Sequence, residues 1–258
     1  MSRGFGVAAG LDPDVAGPLA ARCAELGYSS LWSNDHPGAL GLETLKLFDE
    51  AAPGLELGVA VMALDRHQAV EINGHIGRLG LDRERLWLGV GAGFSPKSLT
   101  TMREALPELR RRLPGVRLVL AAMGPKMCRL AGAEFDGAFF NWMTPGFAAS
   151  ARLNVEAGAL EVPQRTPPVF GYVRTAVGED AAERLAKEES FYRDLHAGYR
   201  NHFDRLGEPE GTVGVAATDR DEAQRQLAAY DALDVTVVRG LASATVEAMT
   251  AVAEAAAP

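Results

Sequence analysis

The sequence predicts an α/β protein of the (β/α)8 type, a TIM barrel, that forms a single domain over residues 1–258. Two observations support this prediction. Short apolar stretches alternate with helix-like stretches in eight successive units, and no linker or low-complexity segment separates them. The length of 258 residues is also close to the roughly 250 residues typical of this barrel. An open doubly wound sheet is the alternative, because a sequence does not show the order of strands in a sheet.

The apolar stretches predict strands because each is short, rich in apolar residues and followed by turn-forming residues. They cover residues 5–9, 29–32, 55–64, 85–90, 116–121, 136–142, 169–176 and 235–238. Most of these stretches are apolar throughout rather than alternating. That pattern favours parallel strands buried on both faces.

The segments between the strands carry apolar residues at the spacing of a helix face. In the first segment Asp12 is a predicted N-cap, and the apolar face comprises Val15, Leu19, Cys23 and Leu26. After the seventh strand, the region from Glu179 to Gly207 is long enough for two helices with a bend. Residues 219–233 and 242–256 predict two further helices.

The composition narrows the classes of partner and the compartment. A net charge of −8 and a pI near 5.2 argue against nucleic acid and anionic membrane surfaces, because both require clustered positive charge. We therefore expect a small-molecule substrate, and a homodimer if the chain oligomerises. No apolar run approaches the roughly 18 residues of a membrane span. Cys23 and Cys128 lie in apolar helix-like stretches, which favours buried thiols in the cytoplasm.

The stretch from Val116 to Arg129 predicts a strand that runs directly into a helix. Pro125 suits the first turn of that helix, where a missing N–H costs nothing. Gly124 would let a ligand approach the backbone closely. The free N–H groups of the helix start, with Lys126 in the first turn, would suit a phosphate. The alternative is an ordinary strand-to-helix turn without a ligand.

Residues at the carboxyl ends of the predicted strands are the candidate site, because ligands of (β/α)8 barrels bind there. They are His36, Gly91, Gly93, Gly124, Asn141, Trp142 and Arg174. Three of these ends, at residues 60–63, 89–93 and 123–124, are small or glycine-rich, which would leave a slot for a flat ring system. The run at 89–93 lacks the spacing and the acid of a dinucleotide fingerprint. The sequence contains no metal-ligand spacing, Gly-x-Ser-x-Gly elbow or P-loop.

His36 is the candidate acid-base residue. Its ordinary pKa lies near the working pH, and the adjacent Asp35 could hold the orientation of the ring or raise its pKa. The alternative is a turn histidine that only hydrogen-bonds its own loop. His67 is expected to be a capping or packing residue at a helix start. The other three histidines, His75, His196 and His202, lie on predicted helices, remote in sequence from any strand end.

Four blocks of the sequence resemble the luciferase-like family of flavin- and deazaflavin-dependent oxidoreductases. They are LWSNDHPG at 31–38, LGVAVMALDRHQ at 57–68, LWLGVGAGFSPKS at 86–98 and AAMGPKMCRLAGAEFDGAFFNWMTP at 121–145. They follow the family's order over most of the chain, and the likeness fades after the seventh strand. The resemblance implies a (β/α)8 barrel that binds FMN or the deazaflavin coenzyme F-420. The Asp35-His36 pair and the Asn141-Trp142 strand end resemble deazaflavin-using branches, which favours coenzyme F-420.

The resemblance also implies roles for individual residues. His36 would act at the hydride-transfer site, as the histidine of the matching Asp-His pair does in deazaflavin-dependent sugar-phosphate dehydrogenases. The end of strand three, at 61–63, is where the family often carries a non-proline cis peptide behind the ring. Gly91 and Gly93 would flank the ring and ribityl chain, and residues 123–126 would approach the phosphate. The residues expected to bind the cofactor are Asp35, Val61, Met62, Ala63, Gly91, Gly93, Met123, Gly124, Pro125, Lys126, Asn141, Trp142 and Arg174.

Two departures from the family pattern limit what the resemblance implies. Phe94 stands where the sugar-phosphate dehydrogenases have a glutamate, which argues against a sugar-phosphate substrate. Residues 112–115 join the fourth helix directly to strand five, where family members usually have a longer segment.

The expected function is hydride transfer between coenzyme F-420 and a small organic substrate. The alternatives are an FMN-dependent monooxygenase and a degenerate homologue without catalytic activity.

Overall fold

The structure is a computed structural model, and it describes residues 2–162 and 165–258. Its barrel strands are β1 Ser2–Val7, β2 Ser30–Ser33, β3 Glu56–Ala63, β4 Leu86–Gly91, β5 Arg117–Ala121, β6 Gly137–Asn141, β7 Val169–Val177 and β9 Val235–Gly240. Neighbours pair in parallel from β1 through β7, β7 pairs with β9, and β9 pairs with β1. The predicted closed barrel is confirmed, and the open sheet is excluded by the β9 to β1 pairing.

A ninth strand, β8 Val215–Ala217, was not predicted from the sequence. It pairs only with the last residues of β7, Thr175 to Val177. With three residues it is too short to show a hydrophobic period. This pairing extends the sheet at the carboxyl end of β7. It also attaches β8, which follows the seventh helical region, to the rim of the barrel.

Ten helices surround the barrel in the described part of the chain. They are α1 Pro13–Glu25, α2 Gly41–Ala51, α3 Ala69–Leu79, α4 Ser98–Arg112, α5 Pro125–Glu134, α6 Pro145–Ala159, α7 Ala181–Leu195, α8 Ala197–Leu206, α9 Arg220–Ala228 and α10 Val246–Ala255, with a 3-10 turn at Arg83–Arg85. The Asp12 side chain caps α1, as predicted. The two helices predicted between Glu179 and Gly207 are also confirmed, and α7 and α8 meet at the extended residue His196. None of these helices is long and apolar enough to cross a membrane.

The strands separate two apolar cores, because successive side chains point to opposite faces. One set packs outward against the helices. The other set fills the barrel, and its fully or almost fully buried members are Trp32, Ala60, Val119, Phe139, Phe170, Tyr172 and Val237. The barrel is therefore a packed core rather than a pore. The carboxyl ends of the strands, above this filling, are where ligands of this fold bind.

The helices that follow β5 and β6 approach each other unusually closely. A Cβ atom added at Gly132 of α5 would collide with the Val155 carbonyl of α6, and one added at Gly158 of α6 would collide with the Arg129 carbonyl of α5. Only glycine allows this backbone contact. It fixes the helix that begins at Gly124 relative to the strand end that carries Asn141.

Candidate functional site

Strand alternation places one ring of side chains at the carboxyl mouth of the barrel, directly above the packed interior. Phe170 and Tyr172 of β7 and Val237 of β9 point inward, so Arg174 and Arg239 also point inward. On the opposite side of the mouth the ring consists of small residues. The mouth thus has a small, apolar side formed by β3, β4 and β5 and a polar side formed by β6, β7 and β9.

The small side of the mouth is an open floor. A Cβ atom added at Gly91 would lie 3.4 Å from Val61 Cγ2 and 3.5 Å from Ala121 Cβ, which are ordinary contacts. The non-proline cis peptide implied by the resemblance is present here, between Ala60 and Val61. Met62 is fully buried and its side chain packs in the outer core. Among the residues predicted from strand three, Val61 packs against the interior cluster, Ala63 pairs in register with Gly91, and Met62 can offer only its backbone.

The polar side brings three predicted residues into direct contact. The Arg174 guanidinium donates a hydrogen bond to the Asn141 side-chain oxygen and stacks 4.2 Å from the centre of the Trp142 ring. Arg174 is only 3% exposed. Trp142 Nε1, Arg174 Nε and Tyr172 Oη are buried without a hydrogen-bond partner among the described residues. Such a group of unsatisfied donors needs an explanation, and a bound ligand provides one.

Trp142 is the one described residue other than glycine with a positive φ, 54°. This conformation is costly for a large side chain, and it persists only where neighbours hold it. His202 of α8 holds it by donating from Nε2 to the Trp142 carbonyl at 2.6 Å. Burial lowers the pKa of His202 from its ordinary value, and the cation of Arg205, whose Nη2 lies 3.1 Å from Nδ1, acts in the same direction. The imidazole is therefore a neutral structural donor.

Helices α7 and α8 form a cap over the polar side, here called the cap helices (residues 181–206). Tyr192 and Tyr199 stack edge to face at 5.0 Å, and Tyr192 packs in the same way on Trp142. Burial raises the pKa of Tyr199 to about 12, so its hydroxyl stays protonated at neutral pH. At the other side of the mouth His196 contacts Phe94, with ring centres 4.5 Å apart. The cap helices therefore reach across to the loop that follows β4.

Asp35 is engaged away from His36. Its carboxylate accepts hydrogen bonds from Arg66 at 2.7 Å, from His67 Nε2 at 2.8 Å and from the Gly41 backbone N–H at 3.1 Å. The Asp35 side chain is 1% exposed. The expectation that Asp35 orients His36 is therefore wrong in this structure, because the carboxylate points to the helix starts that follow β2 and β3. His67, predicted to be a capping or packing residue, is a partner of the buried carboxylate.

His36 lies in a tight turn at the rim. The Gly38 N–H donates to His36 Nδ1 at 3.1 Å, which leaves the proton of the neutral ring on Nε2, 3.3 Å from the Ala9 carbonyl. An open cleft of about 580 Å³ adjoins this turn. Its lining includes Asp35, His36, Glu43, Arg66, His67 and His75. The half-buried ring of His36 is thus accessible from the cleft.

The start of α5 has the open geometry that the sequence predicted. Gly124 is the N-cap residue, no side chain caps the helix, and a Cβ atom at Gly124 would meet nothing within 4 Å. The φ of Gly124 is −116°, so its backbone does not require glycine for conformational reasons. Met123 is half-buried, whereas Pro125 and Lys126 are exposed. The helix start is therefore uncapped by a side chain and open beside Gly124.

Gly93 adopts a positive φ of 60° in the loop after β4, and a Cβ there would collide with the Asp65 carboxylate. That carboxylate accepts from the Phe94 N–H at 2.9 Å. Gly93 is therefore required by the loop conformation and by Asp65. Its predicted contact with a cofactor stays a prediction. Phe94, 59% exposed, projects from the same loop toward His196.

Three residues of the mouth were missed from the sequence. Arg239 and Tyr172 could have been found, because they share the inward parity of Val237 and Arg174 once β7 and β9 are placed. Tyr199 carries no such signal, because its position depends on the bend between the cap helices. The Arg66-His67 pair next to Asp35 also required knowledge that the ends of β2 and β3 are adjacent.

Comparison with solved structures identifies the fold. An F-420-dependent tetrahydromethanopterin reductase from Methanopyrus kandleri matches at 15% identity with a TM-score of 0.74, covering 98% of this chain and 97% of that one. An F-420-dependent secondary alcohol dehydrogenase matches at 15% identity and a TM-score of 0.74, covering 99% of both chains. A type II Baeyer-Villiger monooxygenase from Pseudomonas putida, in complex with FMN, matches at 13% identity and a TM-score of 0.67, covering 100% and 99%.

No protein-family model matches the sequence, and no curated protein does. The three structural matches, however, show that the chain shares the (β/α)8 fold of F-420-dependent oxidoreductases and FMN-dependent monooxygenases over its full length. At this level of identity the likeness defines the fold, and the chemistry has to be argued from the site.

Proposed function

We propose that the chain is an oxidoreductase of the luciferase-like type that transfers a hydride between coenzyme F-420 and a small organic substrate. The observation that carries the proposal is the mouth of the barrel, where the open floor at Gly91 faces buried donors without partners. Two of the structural neighbours are described as F-420-dependent, one a reductase and the other an alcohol dehydrogenase. They support this choice of cofactor.

The residues present fit such a cofactor. Small residues at 61, 91 and 121 leave room for a flat ring against the backbone, since only ordinary contacts surround the added Cβ atom at Gly91. The start of α5, at Gly124 and Lys126, offers free N–H groups and a cation to a phosphate. Asn141, Trp142 and Arg174 close the polar side. When bound, the deazaflavin would supply the hydride acceptor or donor.

His36 is the residue we assign to proton transfer. Its Nε2 proton makes only a long bond, 3.3 Å to the Ala9 carbonyl, and a substrate oxygen could replace that acceptor. Asp35 does not orient the His36 ring, and its bonds to Gly41, Arg66 and His67 instead join the starts of two helices beside the histidine turn. The cap helices exclude water from the polar side by packing Tyr192 on Trp142.

An FMN-dependent monooxygenase is the second candidate, because the structural neighbour from Pseudomonas putida holds FMN. A degenerate homologue is the third, favoured by Phe94 in place of a glutamate and by the short connection between α4 and β5. A shared fold does not decide among these chemistries.

The proposal is tested first by identifying any cofactor that copurifies with the protein. The apoprotein is then titrated with coenzyme F-420 and with FMN. We expect saturable fluorescence quenching with coenzyme F-420 at lower concentration than with FMN. Tighter binding of FMN would favour the monooxygenase. Binding of neither would favour the degenerate homologue.

We also propose a cytoplasmic location, supported by two free, buried cysteines. Burial raises the pKa of the Cys128 thiol to about 12, so this thiol is unreactive. A homodimer is the proposed assembly, and light scattering of the purified protein would test it.

A further inference from the structure

Two arginines stand side by side at the mouth of the barrel. Arg174 of β7 and Arg239 of β9 are direct register partners in adjacent strands. Both side chains are inward-facing by strand alternation, and they are only 3% and 7% exposed. Two guanidinium groups are therefore removed from water at neighbouring positions of one ring.

Neither arginine has a carboxylate partner in residues 2–162 and 165–258. Arg174 donates to the Asn141 amide oxygen, and Arg239 donates to the Gly240 carbonyl at 3.0 Å. Glu188 of the cap helices influences the pKa of Arg239 but forms no ion pair with it. Among the described residues the acceptors of both cations are thus neutral oxygens, which leave the two positive charges without a counter-charge.

This arrangement costs stability. Burial of a cation without an opposite charge is unfavourable, and a second cation beside it adds repulsion. The pKa of Arg239 responds in the expected direction, since burial and then the charge of Arg174 lower it. A pair that does not stabilise the fold calls for a role in binding.

The surrounding donors point to the charge of the missing partner. Arg174 Nε and Tyr172 Oη are buried without an acceptor among residues 2–162 and 165–258. Burial raises the pKa of Tyr172, so its hydroxyl remains a donor at neutral pH. A guanidinium fork with a neighbouring hydroxyl is a geometry that suits a carboxylate or phosphate-type group.

We propose that Arg174 and Arg239, with Tyr172, form a subsite for an oxyanion carried by the substrate. The inference rests on the proposed function and deepens it, because it assigns the substrate to anionic molecules such as carboxylic acids or phosphate esters. Arg174 then serves the substrate. The cofactor phosphate belongs to the separate helix start at Gly124, which follows β5.

Inorganic sulfate is the probe, and its binding to the apoprotein is measured by thermal denaturation at constant ionic strength, with chloride as the reference anion. We expect a saturable rise in the melting temperature of the wild type. Arg239→Met should weaken sulfate binding at least tenfold, the loss expected for about one charge-assisted hydrogen bond. If Arg239→Met does not fold, Arg239→Lys replaces it. The lysine keeps the charge but lacks the fork, so a weaker yet saturable effect is expected.

Arg117→Met is the matched control. Arg117 faces inward at the amino end of the barrel and lies over an indole, 4.0 Å from the Trp87 ring centre, but it pairs with Glu56 and is partly exposed. This variant should lower the melting temperature and retain the shift caused by sulfate. Equal sulfate shifts in Arg239→Met and wild type, or no shift in the wild type, would overturn the subsite.

Two further outcomes locate the anion. Loss of the sulfate effect in Lys126→Ala, with Arg239→Met unaffected, would assign the ion to the start of α5 and overturn the proposal. In a second titration, FMN and riboflavin are compared on Arg239→Met. If the arginine pair instead bound the cofactor phosphate, this variant would lose the preference for FMN over riboflavin, which also counts against a substrate subsite. Sulfate binding needs no cofactor, so the subsite and the proposed cofactor succeed or fail independently.

Discussion

Each end of the barrel carries an arginine stacked on a tryptophan, but the two pairs differ in their hydrogen-bond partners. At the amino end Arg117 lies over Trp87, and Glu56 accepts from both the arginine and the indole N–H. At the carboxyl end Arg174 lies over Trp142, yet the indole N–H is unsatisfied and no carboxylate pairs with the guanidinium in the described chain. The amino end thus pairs its arginine charge with a carboxylate and its indole N–H with an acceptor. The other is left incomplete, which is what a ligand site requires.

Substitution at His36 should produce the largest effect of any change at the carboxyl end. We expect His36→Ala to reduce turnover by roughly 10²–10⁴, the contribution of a positioned acid-base group, and to leave the melting temperature within a few degrees of the wild type. Steady-state kinetics with coenzyme F-420 and an accepted substrate would measure this. Arg117→Met should show the opposite pattern, a lower melting temperature with turnover retained. Wild-type turnover in His36→Ala would return the residue to a purely local role in its turn.

Two glycines of strand β4 separate the packed interior from the open mouth. A Cβ at Gly89 would lie 2.6 Å from the Val59 carbonyl oxygen and 3.0 Å from Ala60 Cα, whereas Gly91 has room for one. Gly89→Ala should therefore destabilise the protein by about 1–3 kcal/mol, as overpacking does, and Gly91→Ala should be nearly neutral. Urea denaturation of both variants measures the difference. Equal stability losses would contradict the boundary placed between these residues.

His202 of the cap helices predicts a pH dependence of stability. Burial lowers the pKa of His202 in the folded state, so in the window below about 6.5 the unfolded chain binds a proton that the folded chain does not. The stability contributed by the neutral ring is present above that pH and is lost as the pH falls, by at most about 1.4 kcal/mol per pH unit. His202→Gln should flatten this part of the profile. Denaturation at pH 7.5 and 5.5 tests it, and parallel profiles would contradict the assignment.

The smallest effects are expected at the start of α5. Lys126 is exposed, so Lys126→Ala should weaken cofactor binding by at most about 1 kcal/mol, the range of a solvent-screened charge.

Gly124→Val should fold, because its φ is negative and its surroundings are open, and should block the approach of a phosphate. Cofactor titration alongside a melting curve separates binding from folding. A folded Gly124→Val protein with wild-type affinity would place the phosphate elsewhere.

The fold could be predicted from the sequence because its signals are local. Each strand is an apolar run and each helix shows its own periodicity, so the eight units could be counted. Strand β8 was missed because its three residues pair only with the end of β7. Its position depends on the folded barrel rather than on its own sequence.

The site was predicted less completely because its contacts join distant strands. The strand ends carrying His36, Gly91, Gly124 and Arg174 were found from the rule that barrel ligands bind at carboxyl ends. The partner of Asp35 was assigned to its neighbour in sequence, yet the carboxylate binds His67 from the next unit. The pairing of Arg174 with Arg239 likewise required the register of β7 against β9.

The central claim is that a cofactor ring lies on the open floor at Gly91, and titration of Gly91→Leu with coenzyme F-420 tests it most directly. A leucine side chain at this position would fill the space between Val61 and Ala121 and leave the amino end untouched. We predict saturable quenching with the wild type and with Arg117→Met, and a loss of at least 100-fold in affinity for a folded Gly91→Leu, about 2.7 kcal/mol. Wild-type affinity in folded Gly91→Leu would contradict the account.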